Sequence, residues 1–398
     1  MNLDEGLTTL DPAFASSRNP LWMTEQVFNG LVELDSALRL QASLAQSWDL
    51  SADGKTYTFH LRGDVFFHRD PCFGAAETRK MKASDFVYSL TRICQPVLAS
   101  PGLWVFNGKV RGVGEFREGK ALTISGFRAP DDSTFVIELN EAFPPFLSLL
   151  AMPYGYVLPY EAVDYYGDRF REHPVGTGPF YIYRWNEGQR LILHKNPVYF
   201  EWEQGQRLPG VDAVSVSFIP SRLSAFIEFV QGKLDFVGDL DNSYRDELLY
   251  PDGTLKEAYA EKYQFLLAPQ LNTEYLAFQV DQSLDHVKNH PLSDIRLRKA
   301  INYAIDRKKL VKYLLNGMGY PAESGFIPFG MPGFDSLAVR GYTFDPEAAR
   351  RLLAEAGYPG GKGLPPLVLN STQKYEHISE FIQKSLENVG IRVQVQNM

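Results

Sequence analysis

HPVGTGPFYIYRW, residues 173–185, holds two prolines and two glycines within six residues and then continues into an aromatic segment. Glycine permits positive φ and proline fixes φ, so this composition predicts a turn that leads into a strand at Phe180. The stretch indicates no chemistry by itself. It separates an α+β region before it from a second set of predicted strands after it, and the organisation of the chain follows from that position.

Size and composition indicate a soluble globular protein of more than one domain. A chain of 398 residues is long enough for two or three domains. Apolar residues make up 44% and charged residues 22%, and the sequence has no apolar run long enough to span a bilayer. The formal charge is −8, from 40 basic and 48 acidic residues, and no long basic run is present. This balance argues against a nucleic-acid partner.

The cysteines and the first residues leave the cellular compartment open. Cys72 and Cys94 are too few for a disulfide scaffold or a four-cysteine zinc site, although one bridge in an oxidising compartment remains an option. The opening residues MNLDEGLTTLDPAFAS have neither the basic nor the apolar region of an export signal. The sequence therefore does not decide whether the protein is a lipoprotein.

Residues 45–173 have the pattern of a small α+β unit. Apolar residues at 57, 59 and 61 alternate with polar ones, which predicts a half-buried strand. Lys82–Cys94 has apolar residues at helical spacing, with Ser84 as the expected N-cap. A further strand is predicted at Thr134–Leu139.

The rest of the chain alternates helices and strands. Asp294–Leu315 is the strongest helical pattern, because its apolar residues form one stripe among basic ones. Asp345 and Gly357 predict the start and the end of another helix. Other helices are predicted at Pro20–Leu31, Ser221–Gln231 and Tyr375–Val389, and strands at Arg190–His194, Ala213–Phe218, Lys233–Val237, Tyr275–Val280 and Ile391–Val395.

The helix, glycine and strand at the end of the sequence predict a βαβ-type crossover that is left unfinished. We therefore expect the sequence to be a fragment of a longer reading frame.

Sequence patterns for catalysis, metals or cofactors are absent. No GxSxG elbow occurs, and the pair His286 and His290 lacks the glutamate of an HExxH site. GYPGGKG at 357–363 lacks the spacing of a phosphate-binding loop and is interpreted as a helix exit and loop. We therefore predict no catalytic residue, no metal site and no cofactor. The aromatic residues beside loops suit either a core or a cleft; these are Trp22, Trp104, Phe106 and Tyr275.

Six segments, in this order, resemble the family 5 extracellular solute-binding proteins of ABC importers, which include the oligopeptide- and dipeptide-binding proteins. They are LDPAFASSRNPLWMTEQVFNGLVELD, LAQSWDLSADGKTYTFHLRGDVFFH, MKASDFVYSLTRI, PVGTGPFYIYRW, PLSDIRLRKAINYAIDRKKLVKYLL and FDPEAARRLLAEAGYPGG. The resemblance covers nearly the whole chain. One departure is RDPCFGAAETRK between Phe67 and Met81, which is longer than the turn usual there.

The resemblance implies an α/β fold of the two-lobe periplasmic-binding-protein (Venus-flytrap) type with an extra small α+β domain. Residues 1–44 and 174–269 would form a discontinuous first lobe, 45–173 the small domain, and 270–398 a second lobe that is incomplete at its C-terminus. The acidic residue that pairs with a peptide's α-amino group in peptide-binding members would lie beyond Met398.

The implied function is capture of a peptide between two lobes and its delivery to ABC permease subunits, by a monomer in the periplasm or at the cell surface, free or lipid-anchored. Candidate ligand-binding residues follow from position in the resemblance: Ser16, Ser17, Arg18, Asn19, Trp104, Phe106, Asn272, Thr273, Tyr275 and Gln279. The alternatives are the same fold binding an oligosaccharide or a metal complex, a secreted hydrolase with paired carboxylates, and the ligand-sensing domain of a larger regulator.

Overall fold

The chain forms two compact units, Met1–Asp239 and Leu240–Met398. The structure is a computed structural model that describes residues 1–238, 244, 247–250, 254–266, 271–285, 287–315, 317–372 and 375–397. Over those residues, no helix is both long and apolar enough to cross a membrane.

The first unit contains two four-stranded sheets with helices packed around them. Its strands are β1 (Asn2–Leu3), β2 (Val32–Leu34), β3 (Leu40–Ala42), β4 (Ala45–Leu50), β5 (Thr56–Leu61), β6 (Phe127–Asp131), β7 (Thr134–Glu138), β8 (Phe180–Asn186), β9 (Arg190–Lys195), β10 (Trp202–Glu203), β11 (Gln206–Arg207) and β12 (Ala213–Phe218). Its helices are α1 (Arg18–Val27), α2 (Ala83–Cys94), α3 (Val113–Arg117), α4 (Phe146–Leu149), α5 (Tyr160–Tyr166) and α6 (Arg222–Val230).

The sheet β4-β5-β7-β6 is antiparallel and has the alternation expected from the sequence. The apolar residues of β5 at 57, 59 and 61 are buried, which confirms the predicted half-buried strand. Helix α2 covers this face, and the Phe86 and Phe135 rings stack at 5.4 Å. Aromatic packing of this kind adds stability beyond the buried area.

Helix α2 begins two residues earlier than the predicted cap would allow. The Asp85 carboxylate accepts a hydrogen bond from the backbone N–H of Lys82 at 2.8 Å, so Lys82 is the N-cap and Ser84 lies inside the helix. The assignment of Ser84 as N-cap was wrong, because the acidic residue in the first turn satisfies the free N–H.

The second sheet, β1-β12-β9-β8, joins distant parts of the chain. Strand β1 is parallel to β12, with Asn2 beside Ser217, whereas β12, β9 and β8 are antiparallel neighbours. The strands predicted at Arg190–His194 and Ala213–Phe218 are confirmed. Lys233–Val237 forms no strand, only a single bridge between Asn2 and Val237.

The turn at 173–185 packs against the end of α1. The N–H of Gly178 donates to the carbonyl of Val27 at 2.8 Å, and β8 begins at Phe180 as predicted. A Cβ on Gly176 would lie 2.0 Å from the carbonyl oxygen of Val27, so only glycine fits there. The division of the chain into a lobe of residues 1–44 and 174–269, a domain 45–173 and a second lobe 270–398 stays a prediction.

His68 forms hydrogen bonds to Gly176 and Gly178 of this turn. Its backbone N–H donates to Gly176 O at 2.8 Å, and the N–H of Gly176 points to its Nδ1 at 3.3 Å. Because Nδ1 accepts, the ring proton lies on Nε2, which donates to Gly178 O at 2.9 Å. Burial lowers the pKa of His68 to about 4, against the opposing effects of the Gly178 hydrogen bond and Asp70. The imidazole is therefore neutral near physiological pH.

The two cysteines are free thiols. Cys94 is buried on α2, and burial raises the pKa of its thiol to about 12, while Cys72 is half-buried in the segment 71–76. The disulfide that the sequence left open is not formed in this structure.

The second unit has a smaller core of helices and a parallel strand pair. Its helices are α7 (Glu257–Ala260), α8 (Ile295–Ala304), α9 (Arg307–Lys309), α10 (Pro346–Glu355) and α11 (Glu376–Glu387), and its strands are β13 (Leu367–Ser371) and β14 (Val393–Asn397). Strands β13 and β14 are parallel and connected through α11, so the βαβ type of the predicted crossover is confirmed, whereas this crossover has both of its strands and is not unfinished. Asp345 accepts from the first turn of α10, which ends before Gly357 with φ of 95°, also as predicted.

The helix predicted at Asp294–Leu315 is not continuous. Helix α8 ends at Ala304, and Asp306 starts a new turn by accepting from the N–H of Lys309 at 2.9 Å. The Arg307 guanidinium donates to the carbonyl and the side-chain oxygen of Asn302 at 3.0 and 2.9 Å. It thereby provides a hydrogen-bond partner for a carbonyl near the C-terminal end of α8. A π-helical turn, Leu310–Leu314, follows. The apolar stripe predicted the helix correctly, but Asp306 is a capping residue that interrupts it.

Candidate functional site

The candidate residues on the first unit lie at the start of α1. Ser16, Ser17 and Arg18 are exposed, whereas Asn19 is buried. Ser17 is the N-cap in extended conformation, with φ of −120° and ψ of 162°, and its hydroxyl makes no capping hydrogen bond. The loop therefore presents two serine hydroxyls that are not used to cap the helix.

A buried ion pair holds the base of this loop. The Arg92 guanidinium binds both carboxylate oxygens of Asp11, at 2.9 and 2.6 Å, with both side chains buried. Asp11 also accepts from the N–H of Ala13 at 3.0 Å, and the Ser100 hydroxyl donates to the carbonyl of Ala13 at 2.6 Å. Since two-point, charge-assisted hydrogen bonds fix geometry, the loop is anchored to the part of the chain that carries Trp104.

Trp104 lies on a 3₁₀ turn that packs against the turn preceding this loop. Its side chain is 49% exposed, and Lys109 donates to its carbonyl at 2.7 Å while lying 5.6 Å from the ring centroid. The structure thus places Trp104 on a turn in contact with residues 12–14, which precede the loop 16–19.

Phe106 belongs to the core. Its side chain is fully buried and packs edge-on against Phe127, with ring centroids 5.8 Å apart. A side chain without exposed surface cannot contact a solute, so we remove Phe106 from the candidate set.

The Asn19 side chain has one hydrogen-bonded polar atom and one buried polar atom without a partner among the described residues. Its Nδ2 donates to the carbonyl of Glu5 at 3.1 Å, but among the residues described here its buried Oδ1 has no hydrogen-bond partner. An unsatisfied buried acceptor costs on the order of 1–3 kcal/mol, which a donor from water or a bound solute would recover.

A charged cluster adjoins Asn19 through Asp4, whose carboxylate is hydrogen-bonded to the Asn19 side chain. The Asp4 carboxylate lies 3.1 Å from Arg18 and 3.4 Å from Arg222. Burial raises the pKa of Asp4, but Arg18, Arg222 and hydrogen bonds outweigh that effect and leave the pKa lowered. The Arg18 guanidinium also lies 5.7 Å from the ring centroid of Trp22, which is 37% exposed. This surface combines charged, amide and aromatic groups.

The candidate residues on the second unit lie in the segment 271–280, which forms no strand, contrary to the prediction for Tyr275–Val280. The Thr273 hydroxyl donates to the carbonyl of Phe326 at 2.8 Å. Tyr275 is 67% exposed, and Gln279 accepts from the N–H of Asp281 at 3.1 Å. Asn272 is exposed.

Phe326 is a residue that the sequence interpretation missed. Its ring is 65% exposed and lies 5.1 Å from that of Tyr275, at an angle of 60°. The available signal was a run of aromatic residues and prolines, YPAESGFIPFGMPGF at 320–334, in a segment without apolar periodicity.

The glycine-rich segment after α10 packs closely against the turn that contains Gly390. A Cβ on Gly361 would lie 1.7 Å from the carbonyl oxygen of Gly390, so glycine allows two turns to approach closely. A cavity of about 460 Å³ beside them is lined by residues 360–363, Glu387, Gly390 and Arg392. The interpretation of this segment as a helix exit and loop agrees with that contact.

Metal-binding chemistry finds no support in the described residues, which contain no group of three or more histidine, cysteine, aspartate or glutamate side chains able to hold an ion. His286, one of the weak histidine pair, lies outside the described residues.

Comparison with known proteins identifies the family. The family described as bacterial extracellular solute-binding proteins, family 5 Middle, matches residues 39–398. The chain belongs to this family. The resemblance found in its six segments is thereby confirmed.

Family 5 relatives share a modest identity over most of the chain. Heme-binding protein A of Haemophilus influenzae is 28% identical over 389 residues, which cover 93% of this chain and 64% of that protein. The glutathione-binding protein GsiB of Shigella flexneri is 27% identical over 393 residues, covering 98% of this chain and 68% of the relative. The chain therefore spans about two thirds of the length of these curated relatives.

A solved structure shows the family 5 fold. The periplasmic oligopeptide-binding protein OppAIV of Borrelia burgdorferi matches all of this chain and 74% of its own, with a TM-score of 0.72 and 25% identity. The predicted α/β fold of the two-lobe periplasmic binding proteins is confirmed by this likeness.

Proposed function

We propose that this chain is the solute-capturing component of an ABC importer and that its solutes are peptides. The observation that carries the proposal is the family 5 match over residues 39–398. Likeness to an oligopeptide-binding protein and to a protein named for glutathione, itself a peptide, supports the choice of solute.

The proposed mechanism is capture without chemistry. A solute enters between two lobes, and closure selects a conformation that the permease recognises, so binding energy shifts an existing equilibrium. The first lobe would comprise residues 1–44 and 174–269, the small domain 45–173, and the second lobe residues from 270 onward. Capture would take place outside the cytoplasm, in the periplasm or at the cell surface.

The proposed ligand-binding groups suit an extended peptide, whose backbone offers a donor and an acceptor at each residue. Asn19 is part of the proposal through its position in the resemblance, although its side chain is buried in this structure. The remaining groups in the proposal are Ser16, Ser17, Arg18, Trp104, Asn272, Thr273, Tyr275 and Gln279.

Native mass spectrometry of the full-length protein, followed by calorimetric titration with defined tripeptides, tests this function. We expect stoichiometric binding, and chromatography of the incubated peptides should show no cleavage. A chain that binds a sugar and no peptide would refute the choice of solute, and peptide turnover by the pure protein would refute capture without chemistry.

A metal complex is the second candidate, because one family 5 relative is named a heme-binding protein. Titration with hemin, followed by visible absorbance, separates the two solutes. Saturable hemin binding by a chain that binds no tripeptide would favour the porphyrin.

A further inference from the structure

Two neighbouring aromatic rings on the second unit are left open to solvent. The side chains of Tyr275 and Phe326 are 67% and 65% exposed, although their rings lie only 5.1 Å apart. Soluble proteins rarely expose contiguous apolar surface without a use for it. The planes of the two rings are tilted by 60° relative to each other.

Phe326 is exposed although other aromatic rings in its loop pack together. The other aromatic rings of the segment 320–334 pack on one another: Tyr320 stacks on Phe329 at 5.0 Å, and Phe334 meets both at 5.6 Å. Phe326 lies outside this cluster and beside Tyr275 instead.

Hydrogen bonds position the two rings. The Thr273 hydroxyl donates to the carbonyl of Phe326 at 2.8 Å, joining the segment 271–280 to the loop. The loop is also closed on itself, because the N–H of Gly341 donates to the carbonyl of Glu323 at 2.9 Å. A ring pair held this way loses little conformational freedom when a ligand packs on it.

Two carboxylates close in sequence to these rings already have partners. Glu274, which precedes Tyr275, accepts from the Tyr375 hydroxyl at 2.6 Å. Glu323 forms an ion pair with Lys308 at 3.2 Å. The ring pair therefore favours an uncharged flat group over a cationic one, since aromatic rings prefer offset or edge contacts with other rings.

We propose that Tyr275 and Phe326 form a stacking site that selects peptides carrying an aromatic side chain. This inference rests on the proposed function and deepens it, because it assigns Phe326 a role and names the side-chain class that it selects.

Calorimetric titration of the full chain tests the stacking site with trialanine and with the three tripeptides that carry one phenylalanine among alanines. We expect at least one phenylalanine peptide to bind about tenfold more tightly than trialanine. In Phe326→Ala and in Tyr275→Ala this preference should fall to about twofold or less. Tyr275→Phe, which keeps the ring, should retain it.

Tyr313→Ala is the matched control, because Tyr313 is 64% exposed on the same unit but belongs to neither the ring pair nor the loop. It should keep the full preference. Thr273→Val removes the hydroxyl that positions Phe326, and we expect it to reduce the preference partly. Circular dichroism verifies folding, and Phe326→Leu, with an intermediate preference, replaces Phe326→Ala if that variant unfolds.

The outcomes separate the two proposals. If no tripeptide binds the unmodified chain, peptide capture fails and the stacking site with it. If trialanine binds as tightly as every phenylalanine peptide, or if lysine peptides bind more tightly than phenylalanine ones, the stacking site is refuted while peptide capture stands.

Discussion

Replacing His68 by glutamine should flatten the dependence of stability on pH. The imidazole is buried and neutral in the folded chain, with a pKa lowered to about 4, whereas an unfolded histidine titrates near 6.5. The unfolded state therefore binds the proton first as the pH falls. The stabilising contribution of the neutral ring is fully present above about pH 6.5 and is lost progressively down to about pH 4.

The magnitude follows from this difference in pKa. A separation of about 2.5 units corresponds to at most ~3.4 kcal/mol, and about 2 kcal/mol of it should be lost between roughly pH 7.5 and pH 5. The cause of the lowered pKa is burial of the imidazole, which disfavours its charged form. Protonation of Nδ1 would also break the hydrogen bond that it accepts from Gly176.

Urea unfolding followed by tryptophan fluorescence at the two pH values measures this loss. His68→Gln keeps a donor for Gly178 and cannot titrate, so its free energy of unfolding should fall by about 2 kcal/mol less than that of the unmodified chain. His60→Gln is the control, since His60 is exposed and contacts Asp49 at 2.8 Å. Equal losses in the unmodified chain and in His68→Gln would show that the turn does not depend on a neutral His68.

Three further substitutions test the framework around the candidate site. Arg92→Met leaves the buried Asp11 carboxylate without its partner and should cost about 3–5 kcal/mol, measured as a lower urea midpoint, and an unchanged midpoint would contradict the role of the pair. Gly176→Ala places a methyl group 2.0 Å from the carbonyl oxygen of Val27 and should lower the thermal midpoint by several degrees, whereas a neutral effect would mean that the turn can move away. Asp345→Ala removes a helix cap and should lower the free energy of unfolding by about 1 kcal/mol. Asp345→Ser should keep most of the stabilisation that the cap provides.

Local patterns predicted local structure well. The alternation in β5, the cap at Asp345 and the glycine at the end of α10 were read correctly because each depends on neighbours within a few residues. The break after α8 was missed although Asp306 is a recognisable capping residue, since the apolar stripe continues through it.

The candidate site was harder to predict because exposure depends on distant partners. Phe106 stands beside a loop in sequence but is buried against Phe127, and no local pattern reveals that contact. Phe326 was missed for the converse reason: its exposed ring becomes informative only when the structure places it beside Tyr275. The choice of Asn19 came from family position, whereas its unpaired oxygen needed the structure.

The parallel pairing of β1 with β12 governs the order in which the first unit can assemble. Asn2 lies beside Ser217, and the Asn2 side chain donates to the carbonyl of Ile219 across a separation of 217 residues. Strand β1 is synthesised about 210 residues before β12, so it stays unpaired until residues 213–218 have been made. Closing so long a loop is entropically costly, and non-local pairing of this kind slows folding. The sheet that carries the turn at 173–185 is therefore completed only after the residues of β12 have been made.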